Sequence, residues 1–455
     1  MAQLYFQTGR HNEPVVFDYF FRKLPFHGGY VTFAGLESLL EILSGLKFTQ
    51  DDLEYLLSIG FEKDFIAYLK NFRFQGNIFA VKEGEVVFPT ETLLRAEGNL
   101  LETQLIETLV LNIINYQSLV ATKASRMRWA AGNRILSESG LRRAQGLAGY
   151  HATRASIIGG FNSTSHVKAA KDFNIKPSGT MAHAFIQSYD DELTAFREFV
   201  AHNSKDCVLL VDTYNTLESG LPHAMIVAKE MEKKGQKLLG VRLDSGDLAY
   251  LSKVVRNRLD QENLHDVKIV VSNQLDEYVI KSLMEQHAPI DIFGVGTNLV
   301  TCPPDAALDG VYKLSFLHGI PKIKLSETLQ KVTLPHRKNV FRMVNEDGTF
   351  FGADVVTLDE EQSVTRMHHP FEPEKSISLK GLGHESLLSQ VMKNGQWTQP
   401  GRNLEEIATY AQHRLSLLPA EHKRFENPHT YKIGLSKKLF QLRNDLRKNI
   451  NSRKV

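Results

Sequence analysis

In Gly240-Val241-Arg242-Leu243-Asp244-Ser245-Gly246-Asp247, an arginine and an aspartate stand two apart at the end of an apolar run. If the run is a strand, alternation puts both side chains on one face. A buried guanidinium needs a partner or an anionic ligand. Two uses stay open on this segment alone: an internal Arg242–Asp244 pair, or a fork for a carboxylate or phosphate that leaves Asp244 to meet sugar hydroxyls. Phe293-Gly294-Val295-Gly296-Thr297-Asn298 offers small residues, backbone N–H groups and a hydroxyl. These are the makings of a phosphate cradle without a lysine, or of a plain tight turn. Ser178-Gly179-Thr180-Met181-Ala182-His183 runs into a histidine, and Arg142, Arg143 and Arg154 add cations. Together the parts are cations, phosphate loops and two carboxylates, without an elbow serine or reactive cysteine. That set suits a sugar phosphate whose anomeric centre departs through a cationic transition state. A Schiff-base aldolase would want a lysine at a strand end, and none stands at the four strand ends identified below.

These residues need a scaffold that brings them together. Between about 205 and 315, four continuous apolar runs read as buried parallel strands: 208–211, 240–243, 269–271 and 292–295. Between them lie helical patterns. Leu221, Met225, Ala228 and Met231 share a face, with Pro222 suited to a first turn and Gly235 to a C-terminal cap. Leu248, Leu251, Val255 and Leu259 mark a second helix, and 276–286 a third that stops before Pro289. The alternation implies right-handed crossovers and a parallel sheet. Asp212, Asp244, Asn273 and Thr297 leave the strands at intervals of 32, 29 and 24 residues, one βα unit each. In a barrel such positions converge at the carboxyl ends of the strands. A polar residue there can equally be a helix cap.

The flanks differ. Short strands at 15–17 and 77–81 mix with helices at 36–46 and 51–59, a hairpin is expected from 339–344 and 349–358 around Asn345-Glu346-Asp347-Gly348, and amphipathic helices from 403–417 and 436–449. The expected architecture is a central α/β barrel at 106–330, with an outer α/β domain assembled from 1–105 and 331–455.

Composition narrows the classes. The 455 residues carry 54 Lys+Arg against 52 Asp+Glu, a balance that argues against bulk attraction to nucleic acid. Two cysteines, Cys207 and Cys302, make neither a disulfide framework nor a cysteine zinc site, and they fit a reducing cytoplasm. No run reaches the roughly 18 apolar residues of a membrane span, and the first residues lack a signal peptide's pattern. Gly294-Val295-Gly296 meets Leu299 where a dinucleotide fingerprint needs its third glycine, and His368-His369 lacks the spacing of a helical metal pair. Arg447, Lys448, Arg453 and Lys454 read as a solvated tail, and Arg337-Lys338 as a solvated loop.

Six segments in order closely resemble nicotinate phosphoribosyltransferase: Gly140-Leu141-Arg142-Arg143-Ala144-Gln145-Gly146, Gly159-Gly160-Phe161-Asn162-Ser163-Thr164-Ser165, Gly179-Thr180-Met181-Ala182-His183, Val211-Asp212-Thr213-Tyr214, the 240–247 segment and Gly294-Val295-Gly296-Thr297. The likeness runs over the whole chain. It implies a type II phosphoribosyltransferase fold, an irregular (β/α) barrel with a mixed α/β domain built from both chain ends. It implies transfer of phosphoribose from 5-phosphoribosyl-1-diphosphate to nicotinate, the entry step of NAD salvage from nicotinate, coupled to ATP hydrolysis and with Mg²⁺ expected on the diphosphate. By the same resemblance His183 is the histidine that ATP phosphorylates, Thr180 and Arg242 contact nicotinate, and Thr297 contacts the phosphoribosyl donor. Asp244 meets the ribose hydroxyls, Gly296 the 5-phosphate, and Arg142 the pyridine and diphosphate. Asp212 and Ser165 complete the substrate contacts. Arg22, within Phe20-Phe21-Arg22-Lys23, reaches a phosphate in the other subunit of a homodimer with shared active sites.

Nicotinamide-using relatives place an aspartate near the ring substituent, whereas Ser163-Thr164-Ser165 holds no acid; this favours the acid substrate over the amide. Two departures from the family pattern stand beside this. The likeness starts just after a Thr-Asp-Leu-Tyr segment whose tyrosine stacks on the neighbouring subunit's pyridine, and Ser139 replaces a common phenylalanine. A nicotinamide-specific enzyme and a non-catalytic homologue are the alternatives.

Overall fold

The computed structural model describes residues 1–203, 206–328 and 331–452. Arg453, Lys454 and the expected 330/331 division lie at or outside those limits. The chain forms two compact units, one of Lys123–Ala306 and one of Met1–Thr122 together with the chain from Ala307 onward.

The central unit holds six parallel strands: β1 (Ile135–Glu138), β2 (Ser163–Thr164), β3 (Val208–Leu210), β4 (Gly240–Leu243), β5 (Lys268–Ser272) and β6 (Ile292–Val295). Their order is β2-β1-β6-β5-β4-β3, with every pairing parallel. Among the described residues no ladder joins β2 to β3, so the barrel is irregular. Helices Leu221–Glu232, Leu248–Gln261 and Glu277–Glu285 fill the crossovers. The second and third start where the Asp247 and Asp276 side chains accept backbone N–H bonds.

Alternation explains why these strands look uniformly apolar. Leu136, Leu209, Val241, Leu243, Ile269, Val271 and Phe293 form the fully buried layer, while Leu210, Arg242, Val270, Ser272 and Gly294 line a cavity on the other face. The four expected strands are present. β1 and β2 are the additions: four and two residues long, and with four of the six residues polar, they carry too little apolar signal to stand out.

The outer unit joins both ends of the chain. Pro14–Phe21 lies between Leu94–Asn99 and Gly310–Leu317, antiparallel to both, in a seven-stranded sheet. Lys338–Val344 and Phe350–Leu358 form the expected hairpin within a second, six-stranded sheet, where Phe350–Leu358 also runs parallel to Lys432–Leu435. This unit reaches further into the chain than the expected 105/106 and 330/331 divisions. The first part of helix Glu107–Ala131 is tied to it by Tyr19 Oη to Asn115 Oδ1 at 2.8 Å and Thr32 N to Thr122 Oγ1 at 3.0 Å. Gly310–Leu317 is bound along the length of Pro14–Phe21. Lys338, expected in a solvated loop, is buried, with Nζ 2.7 Å from Asp18 Oδ2.

Candidate active site

The inner faces of the six strands, from residues at their amino ends such as Ile135, Val208 and Ile292 to the loops beyond their carboxyl ends, surround a cavity of about 1140 Å³. Arg242, Asp244, Thr180, His183, Arg142, Ser165, Gly296 and Thr297 all line it. Arg242 extends from β4, and its guanidinium is held on three sides. Nε donates to Ser272 Oγ (2.9 Å), Nη1 to Thr180 Oγ1 (2.6 Å) and Nη2 to Asp244 Oδ1 (2.9 Å). A guanidinium has five N–H donors, so both Nη atoms keep one for another acceptor. The internal pair therefore leaves two N–H groups of Arg242 available to an anion.

Asp244 is fixed in turn. Ser272 Oγ donates to its Oδ1, and its backbone N–H donates to Asp212 Oδ2 at 2.8 Å. Burial pushes the Asp244 carboxyl up, but hydrogen bonds from Ser272 and Arg242 and the Arg242 charge outweigh that and hold it below the ordinary range. It is ionised at neutral pH. Falling pH would have to pass below the usual carboxylate range before this charge, and the stability it confers, is lost.

His183 opens the short helix His183–Gln187. Its Nδ1 lies 3.1 Å from Thr213 Oγ1, and its Nε2 lies 3.9 Å from Asp244 Oδ2. Asp212 stands behind this wall rather than in it. Its Oδ2 accepts from Asp244 N and from Ser245 Oγ at 2.6 Å, which makes it a positioning residue for the 244–245 turn. Its Oδ1 is buried without a partner. Arg22 belongs to the outer unit and is not among the residues lining the cavity.

Two loops are locked together by close approach. A Cβ at Gly140 would meet Val300 Cγ1 at 2.3 Å, and one at Gly296 would meet Ser139 O at 3.1 Å. The close packing of the 139–140 and 296–300 backbone holds the two loops that carry Arg142 and Thr297, both of which line the cavity. Glu138, at the end of β1 and 1% exposed, organises the same region. Its carboxylate accepts from Gly140 N–H, Thr153 Oγ1 (3.0 Å) and Thr164 Oγ1 (2.5 Å), and its carbonyl accepts from Ser165 N–H at 2.8 Å. Sequence reasoning missed both Glu138 and Ser272. Ser272 was findable: it follows Val270, which pairs with Arg242, so strand alternation puts it beside Asp244. Glu138→Gln presents an amide where only acceptors serve. It is expected to cost about 1–3 kcal/mol, read as a lower urea midpoint with unchanged slope.

The sequence matches three family profiles: the nicotinate phosphoribosyltransferase (NAPRTase) N-terminal domain over residues 1–115, the nicotinate phosphoribosyltransferase (NAPRTase) family over 136–375, and the nicotinate phosphoribosyltransferase C-terminal domain over 337–443. Nicotinate phosphoribosyltransferase of Bacillus subtilis (strain 168) is 43% identical over 446 residues, covering 96% of this chain and 91% of that one. This chain belongs to the nicotinate phosphoribosyltransferase family.

The crystal structure of human nicotinic acid phosphoribosyltransferase superposes with a TM-score of 0.86 at 31% identity, covering 98% of both chains. Nicotinate-nucleotide pyrophosphorylase from Pyrococcus furiosus, at 23% identity, shares the fold with a TM-score of 0.70 over 91% of this chain and 92% of that one. The type II phosphoribosyltransferase architecture is thereby shown, and the chain is an enzyme of the nicotinate phosphoribosyltransferase type. Ser139 lines the cavity. Among the described residues no helix is long and apolar enough to cross a membrane.

Proposed function

We propose that this chain transfers phosphoribose from 5-phosphoribosyl-1-diphosphate to the ring nitrogen of nicotinate, yielding nicotinate mononucleotide and diphosphate in NAD salvage, with ATP as a coupled co-substrate. The observation that carries this reading is the three-point mounting of Arg242. It presents two N–H groups to the same cavity that holds the Gly296–Thr297 turn, which suits a carboxylate at one end and a phosphate at the other.

The pyridine nitrogen is already nucleophilic, so the reaction needs no general base. Catalysis rests on orientation and on stabilising separating charges. Arg242 and Thr180 hold the nicotinate carboxylate. Backbone N–H groups at Gly296 and Thr297 take the 5-phosphate. Asp244, kept ionised, meets the ribose hydroxyls through Oδ2 and favours the positive charge that grows at the anomeric carbon as the C–O bond to diphosphate breaks. Arg142 neutralises the departing diphosphate. Magnesium suits that diphosphate: among the described residues no group of three or more His, Cys, Asp or Glu side chains could hold a metal, so the ion would take its ligands from substrate and water. The metal would draw charge off the leaving group.

The same reading includes a homodimer that shares its sites, with Arg22 supplied across the interface. Leu147, Val167, Tyr214 and Tyr250 in the central unit are 59–75% exposed, apolar area of the kind a partner covers. It also includes the cytoplasm. Cys207 and Cys302 are buried free thiols that burial pushes up to about 12, which keeps them unreactive.

The test is product formation from labelled nicotinate with and without ATP, with nicotinamide as competitor. Nicotinate is expected to be preferred and ATP to stimulate. A preference for the amide, or the lack of any mononucleotide product, would overturn the reading.

A further inference from the structure

The C-terminal helix Lys437–Ser452 turns Leu439 and Arg443 inward, one turn apart. Leu439 is 0% and Arg443 4% exposed. A guanidinium at that depth demands a counter-charge, yet no acidic side chain among the described residues pairs with it. Its Nε is buried without a partner, Nη2 reaches only Asn444 Oδ1 at 3.3 Å, and its carbon lies 5.2 Å from the Phe440 ring centre. Arg447, one turn further along, adds repulsion.

Arg443 lines a small cavity of about 30 Å³ together with Asp18, Lys313, Thr90, Thr92 and Thr333. The acidic member does not neutralise it. Asp18 Oδ2 is engaged by Lys338 Nζ at 2.7 Å, and that ammonium also donates to the carbonyls of Leu334, Pro335 and His336. Lys313 Nζ lies 3.9 Å from Glu107 Oε1, so of the cations at the cavity Arg443 is the one without an acidic partner among the described residues. Thr333 Oγ1 accepts from Lys324 N–H at 2.9 Å, so its own proton is free to be donated. One acceptor also remains unfilled, Asp18 Oδ1, which is buried without a hydrogen bond. Thr90 holds φ 72°, a strained value for a β-branched residue, beside the same cavity.

An occupant that meets all these groups must be anionic, small, able to accept from a guanidinium and hydroxyls, and able to donate one proton to a carboxylate oxygen. We propose that this cavity of the outer unit binds inorganic phosphate in its protonated form. Phosphate keeps an O–H at neutral pH. Sulfate has only acceptors, and chloride has no directional oxygens. A nucleotide does not fit the volume. The proposal stands independently of the base and donor contacts assigned to the barrel.

The test is equilibrium dialysis of labelled orthophosphate against the full chain carrying Thr297→Glu, which places a carboxylate in the barrel cavity and suppresses phosphate binding there. One saturable site per chain is expected. Arg443→Met in that background removes it, Arg443→Lys weakens it by about tenfold because a point charge replaces the fork, and sulfate and chloride compete at least about tenfold more weakly than phosphate. A melting comparison guards against a folding defect: without phosphate Arg443→Met melts at or above its parent, and added phosphate raises the parent alone. Binding that survives Arg443→Met, a parent that binds none, or chloride competing equally would each overturn the proposal.

Discussion

Arg242→Ala is expected to lower kcat/KM for nicotinate by roughly 10²- to 10³-fold, since truncating one partner of a hydrogen-bonded charge pair costs about 2–5 kcal/mol and each 1.36 kcal/mol is tenfold. Two losses combine. The nicotinate carboxylate loses its fork, which raises KM. Asp244 loses the Nη2 donor that fixes Oδ1 and keeps only Ser272 and its backbone anchor, so the carboxylate facing the anomeric carbon is less well aimed and kcat falls as well. Arg242→Lys should recover little, because an ammonium cannot reach Ser272, Thr180 and Asp244 at once. The discriminating measurement is the ratio of kcat/KM for nicotinate over nicotinamide. It should collapse in Arg242→Ala, since the amide never exploited the charge. An unchanged ratio would remove Arg242 from base recognition and leave it a purely internal partner of Asp244. Ser272→Ala serves as the companion variant: it takes a hydrogen bond from each of the two side chains, and should reduce kcat more than it raises the KM for nicotinate.

The central unit was legible in the sequence where its physics is local. Strands covered on both faces must be apolar throughout, so the four runs from Val208 to Val295 announced themselves, and the residues that leave them fall one βα unit apart. Arg242 and Asp244 followed from alternation alone. What the sequence hid is non-local. β1 and β2 bring Ser137 and Ser163 to the cavity wall and bury Glu138 and Thr164 beside them, and their polarity makes sense only beside β6 and the loops they support. Asp212 shows the converse error: a carboxylate at a strand end looks like a ligand contact, but the next strand's turn lies within reach and claims its Oδ2. The division between units moved for the same kind of reason. Gly310–Leu317 is central-looking in sequence order, but it pairs with a strand some 290 positions earlier, at Pro14–Phe21, and no local pattern encodes that choice.

His183→Ala is expected to abolish stimulation by ATP while leaving the ATP-independent rate within a few-fold of the parent. The ring is mounted by Nδ1 against Thr213 Oγ1. With its proton on Nδ1, the imidazole presents the Nε2 lone pair on the side facing Asp244 Oδ2, 3.9 Å away. Attack on the terminal phosphorus of ATP forms the N–P bond as the bond to ADP breaks. The phosphoryl group adds about 1.5–2 negative charges next to a carboxylate that is held ionised. That repulsion must be relieved by the cations around it, Arg242 first. The effect of ATP should therefore fall mainly on the KM for 5-phosphoribosyl-1-diphosphate, with a smaller change in kcat. Thr213→Val keeps the histidine but frees its ring, and should weaken the stimulation without eliminating it. Two readouts decide the matter: initial rates across donor concentration with and without ATP, and acid-labile, base-stable incorporation of labelled phosphate. If His183→Ala still responds to ATP, or if label survives the substitution, the phosphoryl group travels by another route and the contact between His183 and Asp244 serves the shape of the cavity alone.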